Sequence, residues 1–265
     1  MSLIHHSYNK SVFVKYGIEE YSWDRSQVIK EFIDGKCVYV ARNIVKKQTD
    51  HIKDNYKIIS LGASCFVRYV FSFWGLKKLK EEGELSCPFD LSINRVTSII
   101  PILNENFKQF LNEKYLICDG KNIHNQYYNS WYIHEFPENT SNIIEKFKDR
   151  YSKRIRNFYQ YCFSNKFLFF VHHDCKITKD KMFQLEESLH RFSWNGNAMK
   201  NYKLIFLHDN AELNFETDII ISKAIPLPSE DYKWNLNTHA KTSLGMEHDL
   251  KWVDFLKDVI LTTIS

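Results

Sequence analysis

Cys65 closes the run Lys57-Ile58-Ile59-Ser60-Leu61-Gly62-Ala63-Ser64, and the residues behind it place Phe66, Val67, Val70, Phe71 and Trp74 at helical spacing. An apolar run ended by glycine, then a polar turn and a helical pattern, predicts a buried strand, a tight turn and a helix start. Cys65 then falls in the first helical turn. Unpaired N–H groups and the positive end of the helix dipole favour an anion there, so a thiolate is stabilised and the thiol pKa is expected below its free value of about 8.5. Such a cysteine is a nucleophile. Two other readings of the same residues stay open. Cys65 can be a small buried hydrophobe, as most free cysteines are. Alternatively the N–H groups of Ser64 and Cys65 can hold a phosphate or sugar phosphate, as in an enzyme of surface-glycan assembly. The Gly-x-Gly-x-x-Gly fingerprint is missing, which argues against a dinucleotide.

Other residues able to do chemistry are fewer. Ser86-Cys87-Pro88-Phe89-Asp90 reads as a turn, since proline forces Cys87 toward extended geometry, and it holds Asp90 in a fixed place. His172-His173-Asp174-Cys175 has metal-binding residue types, but neighbours on an extended segment point to opposite faces and rarely chelate one ion. No metal and no cofactor is expected. Arg154 and Arg156 can bind an anionic substrate group, although most helix arginines only face solvent.

The elements that position these residues follow from periodicity. Glu19 to Ile33 reads as a short amphipathic helix and Cys37 to Val40 as a strand. Lys46 to Lys57, almost devoid of apolar residues, reads as a solvated connector and divides an N-terminal extension, residues 1–50, from a main domain, residues 51–265. After the Lys57 to Leu61 strand and the Cys65 helix, Lys77 to Glu84 reads as a charged exposed loop or a fraying helix end. A helix is predicted from Val96 to Leu111 and strands over Tyr115 to Cys118 and Tyr127 to Phe136. Asn142 to Cys162 is the clearest helix: Ile143, Phe147, Tyr151, Ile155, Phe158 and Cys162 step by three or four residues. Phe167 to Val171 is a buried strand after which His172-His173-Asp174 leave the sheet. Met182 to Phe192 is helical, Tyr202 to Leu207 and Asp218 to Ile225 are strands, and Asp249 to Leu261 is a closing helix. Strands alternating with helices imply an α/β fold, with one central mixed sheet made from the strands near Ile58, Ile117, Ile133, Phe169, Ile205 and Ile220 and flanked by helices.

Composition sets the outer limits. With 265 residues, 44% of them hydrophobic, the chain can bury a large core. Lys plus Arg number 36 against 32 Asp plus Glu, and with no basic run or RNA-binding signature nucleic acid is not an expected partner. The six cysteines are scattered, without Cys-x-x-Cys pairs or zinc-finger spacing, which fits a reducing, cytoplasmic setting better than a disulfide framework. Met1 to Lys15 lacks the apolar core of a secretory signal, and no stretch approaches the roughly 18 apolar residues of a membrane span.

Four motifs recur in an order that resembles the bacterial and viral family of putative papain-like cysteine peptidases, largely a domain of unknown function. They are Ser60-Leu61-Gly62-Ala63-Ser64-Cys65, Pro88-Phe89-Asp90, Ile133-His134-Glu135-Phe136 and Arg154-Ile155-Arg156-Asn157-Phe158, and together they span Lys57 to Asp174. Two positions depart from the pattern. Leu91 stands where the family commonly has tryptophan, and His172 follows Val171 where it commonly has arginine, so any substrate contact by that guanidinium is lost. The resemblance implies a papain-like cysteine hydrolase, a peptidase or acyl transferase acting on a peptide, ester or glycan-linked substrate. Cys65 is then the nucleophile and His134 the imidazole that makes and holds the thiolate, with Asp90 as the orienting group. Ser64, Arg154 and Arg156 are candidates for substrate contacts. Papain-like geometry, with the third group on a strand after the histidine, points instead to Asp174. A binding module that keeps the fold without the activity is the remaining alternative.

Overall fold

The structure is a computed structural model that describes residues 45–133, 136–137, 140–194, 196–229, 232 and 243–264. The expected helix at Glu19 to Ile33 and strand at Cys37 to Val40 lie outside the described residues. In chain order the elements are β1 (Tyr56–Ser60), α1 (Phe66–Phe73), α2 (Val96–Asn104), β2 (Leu116–Asp119), β3 (Asn122–Asn125), β4 (Ser130–Tyr132), α3 (Ile143–Cys162) and β5 (Phe167–His173). There follow α4 (Lys179–Arg191), β6 (Ser193–Trp194), β7 (Asn197–Ala198), β8 (Tyr202–His208), β9 (Phe215–Glu216), β10 (Ile220–Ala224) and α5 (Ser243–Ile264). The chain divides into two compact units, one of Asp54–Tyr69 and Leu79–Pro226, the other of Met1–Lys53, Val70–Lys78 and Leu227–Ser265.

The first unit holds the central mixed sheet, ordered β1-β5-β8-β10-β9. The first four strands run parallel and β9 closes the edge antiparallel. Parallel strands need crossovers, and α3 and α4 lie in the connections that return the chain from β1 to β5 and from β5 to β8. The registers Ser60 to Val171, His173 to Leu207 and Ala224 to His208 bring the carboxyl ends of the four strands to one edge. One sheet face, with Ile59, Phe170, Leu204, Phe206 and Ile220, joins Ile99 and Ile102 of α2, Phe158 of α3 and Leu185 of α4 in a continuous core. Each such side chain stabilises the fold by about 1.5–3 kcal/mol when fully buried. In the second unit α5 buries Leu250, Trp252, Val253, Leu256 and Ile260. Among the described residues no helix is long and apolar enough to cross a membrane.

Several expectations are corrected. The stretches near Ile117 and Ile133 do not join the central sheet. β2, β3 and β4 form a separate antiparallel sheet: Asp119 and Asn122 pair across a tight hairpin at Gly120, φ +57°, which returns the chain locally, while three of the four β2 residues stay exposed. Ile133 falls just beyond β4. α2 ends at Asn104 rather than Leu111, because Asn106 and Phe107 take φ of +49° and +61° and the Phe107 N–H turns back to the Ile102 carbonyl at 2.9 Å. That reversal drives Phe107 into the core against Phe89, Phe110, Phe158 and Phe192, with ring centroids 5.5–6.3 Å apart.

The charged stretches are less solvated than their composition suggests. Residues 45–49 are helical and Asp50–Ile52 form a 3₁₀ turn, where Lys53 is buried and bonded to Asp50 at 2.5 Å. Lys57 lies buried within β1 with its ammonium 2.7 Å from the buried Glu84 carboxylate. Neither stretch is solvated throughout as expected, because close pairing offsets the cost of burying Lys53, Lys57 and Glu84. β5 also runs two residues further than expected and includes His172 and His173.

Candidate active site

The candidate site is built at the carboxyl edge of the parallel strands, where open α/β sheets place their ligands. β1 ends at Ser60, and the chain turns through Gly62 and Ala63, φ +82° and +66°, before α1 begins at Phe66. The turn is tied at each step. The Leu61 N–H donates to the Val171 carbonyl at 2.9 Å, the Gly62 N–H to Ser60 Oγ at 3.2 Å and the Ala63 N–H to the Asn94 carbonyl at 2.8 Å. A side chain at position 62 would meet Asn94 Cβ at 3.0 Å and its carbonyl oxygen at 3.1 Å, so glycine answers both the left-handed φ and the close approach.

Cys65 directly precedes α1, and its carbonyl accepts the Tyr69 N–H at 2.9 Å. Ser64 Oγ accepts the Phe66 N–H at 3.2 Å, so this hydroxyl serves the start of the helix. Cys65 is partly exposed. Burial pushes its thiol above the ordinary value, with its own backbone N–H pulling the other way. The expected lowering of the thiol pKa is therefore reversed. Desolvation disfavours the thiolate more than one N–H supports it, and an attack by this sulfur requires a base to take the proton.

Asp90 is 1% exposed. Its Oδ2 accepts the Cys87 N–H at 2.8 Å, which closes the Pro-Phe-Asp turn, and lies 3.7 Å from Arg68 on α1. Oδ1 is buried without a hydrogen-bond partner among the described residues. Asp90 thus anchors its own turn and links it to the helix that starts beside Cys65. Arg154 is buried, its guanidinium 4.6 Å from the Tyr151 ring one turn earlier on α3, whereas Arg156 is exposed. Two residues apart on a helix, they face different ways.

His134 lies outside the described residues. The strand before it does not: Trp131 of β4 exchanges backbone hydrogen bonds with Ile93, at 2.8 and 3.3 Å. Ile93 adjoins Asn94, whose carbonyl holds the Ala63 N–H.

The sequence offered the residues at the end of β5 as metal-ligand types and Asp174 as a third catalytic group, but not the close approach of His172 to Asp174. His172, fully buried, has Nδ1 3.1 Å from the Leu61 carbonyl and Nε2 3.8 Å from Asp174 Oδ2. His173, on the opposite sheet face, stacks on Phe66, the residue after Cys65, with ring centroids 4.2 Å apart. Asp174 accepts the Lys176 N–H at 2.9 Å. Burial alone would push its carboxyl up, but His172, the Lys176 N–H and Arg95 together hold it below the ordinary value. On the next two strands His208 Nε2 lies 2.8 Å from Ser222 Oγ, and burial pushes this imidazole below its ordinary value against the pull of Asp209. The sequence signals for this edge were the metal-ligand residue types of His172-His173-Asp174-Cys175 and the place of Asp174 after the histidine of the papain-like order. Asn94 and Arg95 carried no motif at all. Among the described residues no group of three His, Cys, Asp or Glu side chains is placed to hold a metal ion.

Residues 56–214, more than half of the chain, match the model of the family described as putative papain-like cysteine peptidase. No curated protein and no solved structure matches the chain.

Proposed function

Since the chain belongs to the family of putative papain-like cysteine peptidases, we propose that it is a cysteine hydrolase, a peptidase or acyl transferase, with Cys65 as its nucleophile. The observation that carries this reading is the place of Cys65: partly exposed, in a tied turn at the carboxyl edge of the sheet, one residue before a helix. His134 is the base in this reading. The bridge between β4 and Ile93 supports it, because it ties the strand that leads to His134 to the segment that holds the Cys65 turn.

In the first step His134 takes the thiol proton and Cys65 Sγ bonds to the substrate carbonyl carbon, whose π electrons move onto oxygen. The N–H groups of Gly62, Ala63 and Phe66 already have partners, which leaves those of Ser64 and Cys65 to receive the oxyanion. When the oxyanion collapses, the bond to the amine or alkoxide breaks and the leaving group takes the proton from His134. Water then attacks the thioester, giving its proton to His134, and the acid departs as the proton returns to sulfur. Asp90, rigid in its turn, is the orienting group the resemblance implies, and Arg154 and Arg156 are the candidates for an anionic part of the substrate.

The phosphate reading is the weaker one, since three of the five N–H groups from Gly62 to Phe66 serve the turn itself. Ester turnover tests the choice. Cys65→Ser and His134→Ala should each lower p-nitrophenyl ester hydrolysis by about 10²-fold or more. The double variant should be little worse than either, because members of one catalytic unit are not additive. Wild-type turnover in Cys65→Ser would overturn the reading, and a sugar phosphate that raises the Tm of wild type and Cys65→Ser equally would favour the alternative.

A further inference from the structure

We propose that His172 is the positioning residue of the Cys65 turn, gripping the Leu61 carbonyl through Nδ1–H while complete burial against Phe206 keeps the ring from swinging away. The inference rests on the reading of Cys65 as nucleophile. A carbonyl oxygen only accepts, so the nitrogen 3.1 Å from Leu61 carries the hydrogen. The ring has no exposure to solvent, and its Nε2 has no hydrogen-bond partner among the described residues, the carboxylate of Asp174, one residue beyond β5, standing 3.8 Å away. Phe206 of β8 stands edge-on to the ring at 6.1 Å, while Asp174 is fixed by the Lys176 N–H and by its own N–H to the Leu207 carbonyl at 3.1 Å.

The turn needs such a hold. Two consecutive residues with positive φ, one of them alanine, relax toward ordinary backbone unless both ends are fastened. Asn94 fastens the Ala63 end and His172 the Leu61 end. Directly after this anchored pair come the Ser64 and Cys65 N–H groups that would face the oxyanion. His172 touches no reacting atom and acts only by setting where those groups point.

Two substitutions separate this role from mere packing. The amide nitrogen of asparagine sits as many bonds from Cα as imidazole Nδ1, and that of glutamine as many as Nε2. His172→Asn therefore keeps the donor to Leu61 and His172→Gln loses it, although glutamine fills more of the space. Two readouts are taken on the folded full-length protein. The first is the backbone N–H shifts of Ala63, Ser64 and Cys65 by ¹⁵N NMR. The second is acylation of Cys65 by p-nitrophenyl acetate relative to its alkylation by iodoacetamide, which needs no oxyanion donor. The expected result is wild-type N–H shifts and a ratio within about threefold in His172→Asn. In His172→Gln the shifts move and the ratio falls by about a hundredfold, the loss a displacement near 1 Å produces. Unmoved shifts in His172→Gln, or a variant order that follows side-chain volume, would overturn the proposal. N–H shifts in the expected order without acylation of the wild type would uphold the positioning role and remove the hydrolase reading instead.

Discussion

At Gly62 and Ala63 the backbone takes φ of +82° and +66°, and only the first is a glycine. An L-residue in that conformation costs about 1–2 kcal/mol, so the turn stores strain one residue before Ser64 and two before Cys65. Ala63→Gly should relieve it and raise stability by up to about 1 kcal/mol, read from urea unfolding. Gly62→Ala should do the reverse, since its Cβ meets Asn94 at 3.0 Å and at its carbonyl at 3.1 Å. A loss of about 1–3 kcal/mol, in the range of backbone strain and overpacking, is expected together with slower Cys65 acylation. Equal stability of Gly62→Ala and wild type would mean that the turn is not the fixed point described. The glycine was legible in the sequence as the end of an apolar run. The strain at Ala63 was not, because it depends on Asn94, a partner thirty-one residues away that no local pattern marks. The direction of the Cys65 shift was misjudged for the same reason: helix position is local information, whereas burial is contributed by the whole fold.

Among the elements, β1 carries the turn and is itself pinned by an ion pair. Lys57 and Glu84 lie 2.7 Å apart, with side chains 8% and 1% exposed. Removing one partner leaves a buried charge uncompensated, so Glu84→Ala should cost about 3–5 kcal/mol, measured by denaturant unfolding. A loss under 1 kcal/mol would show that the pair is not buried as described. The sequence presented Lys57 and Glu84 as parts of two charged, solvated stretches, and pairing over 27 residues is invisible to periodicity. Helix α3 and the four parallel strands were legible because their apolar spacing is long and regular. The small sheet was mistaken for part of the central one because strand-length runs show strand type but not strand partner. Its hairpin at Gly120 is what keeps β2 and β3 together. His172 and His173 were read as leaving the sheet because polar residues usually end a buried strand. Here the Leu61 carbonyl and the Phe66 ring receive them.

For the whole molecule, buried titratable groups at the carboxyl edge make stability depend on pH. His208 has its folded-state value lowered by burial. A group with a depressed folded pKa contributes stability above its unfolded pKa and loses it as pH falls toward and through the folded one. The window therefore opens below about 6.5, the ordinary histidine value. Asp174, also depressed, acts in the same direction lower down, below about 3.9. Stability should thus decline in two stages on acidification, and His208→Asn should flatten the first while leaving the second. An unchanged slope between pH 6.5 and 5 in that variant would contradict the assignment.

The central claim is that Cys65 forms a covalent acyl intermediate with help from His134. Its most direct test is intact-protein and peptide mass spectrometry after brief exposure to an activated acyl ester at neutral pH. The account predicts one added acyl group, mapped to Cys65 and not to Cys118 or Cys175, the exposed cysteines among the described residues. It also predicts that this adduct is absent in Cys65→Ser and slowed by about 10²-fold or more in His134→Ala. Acylation spread over the exposed cysteines, or a Cys65 adduct that forms as fast in His134→Ala as in the wild type, would contradict it.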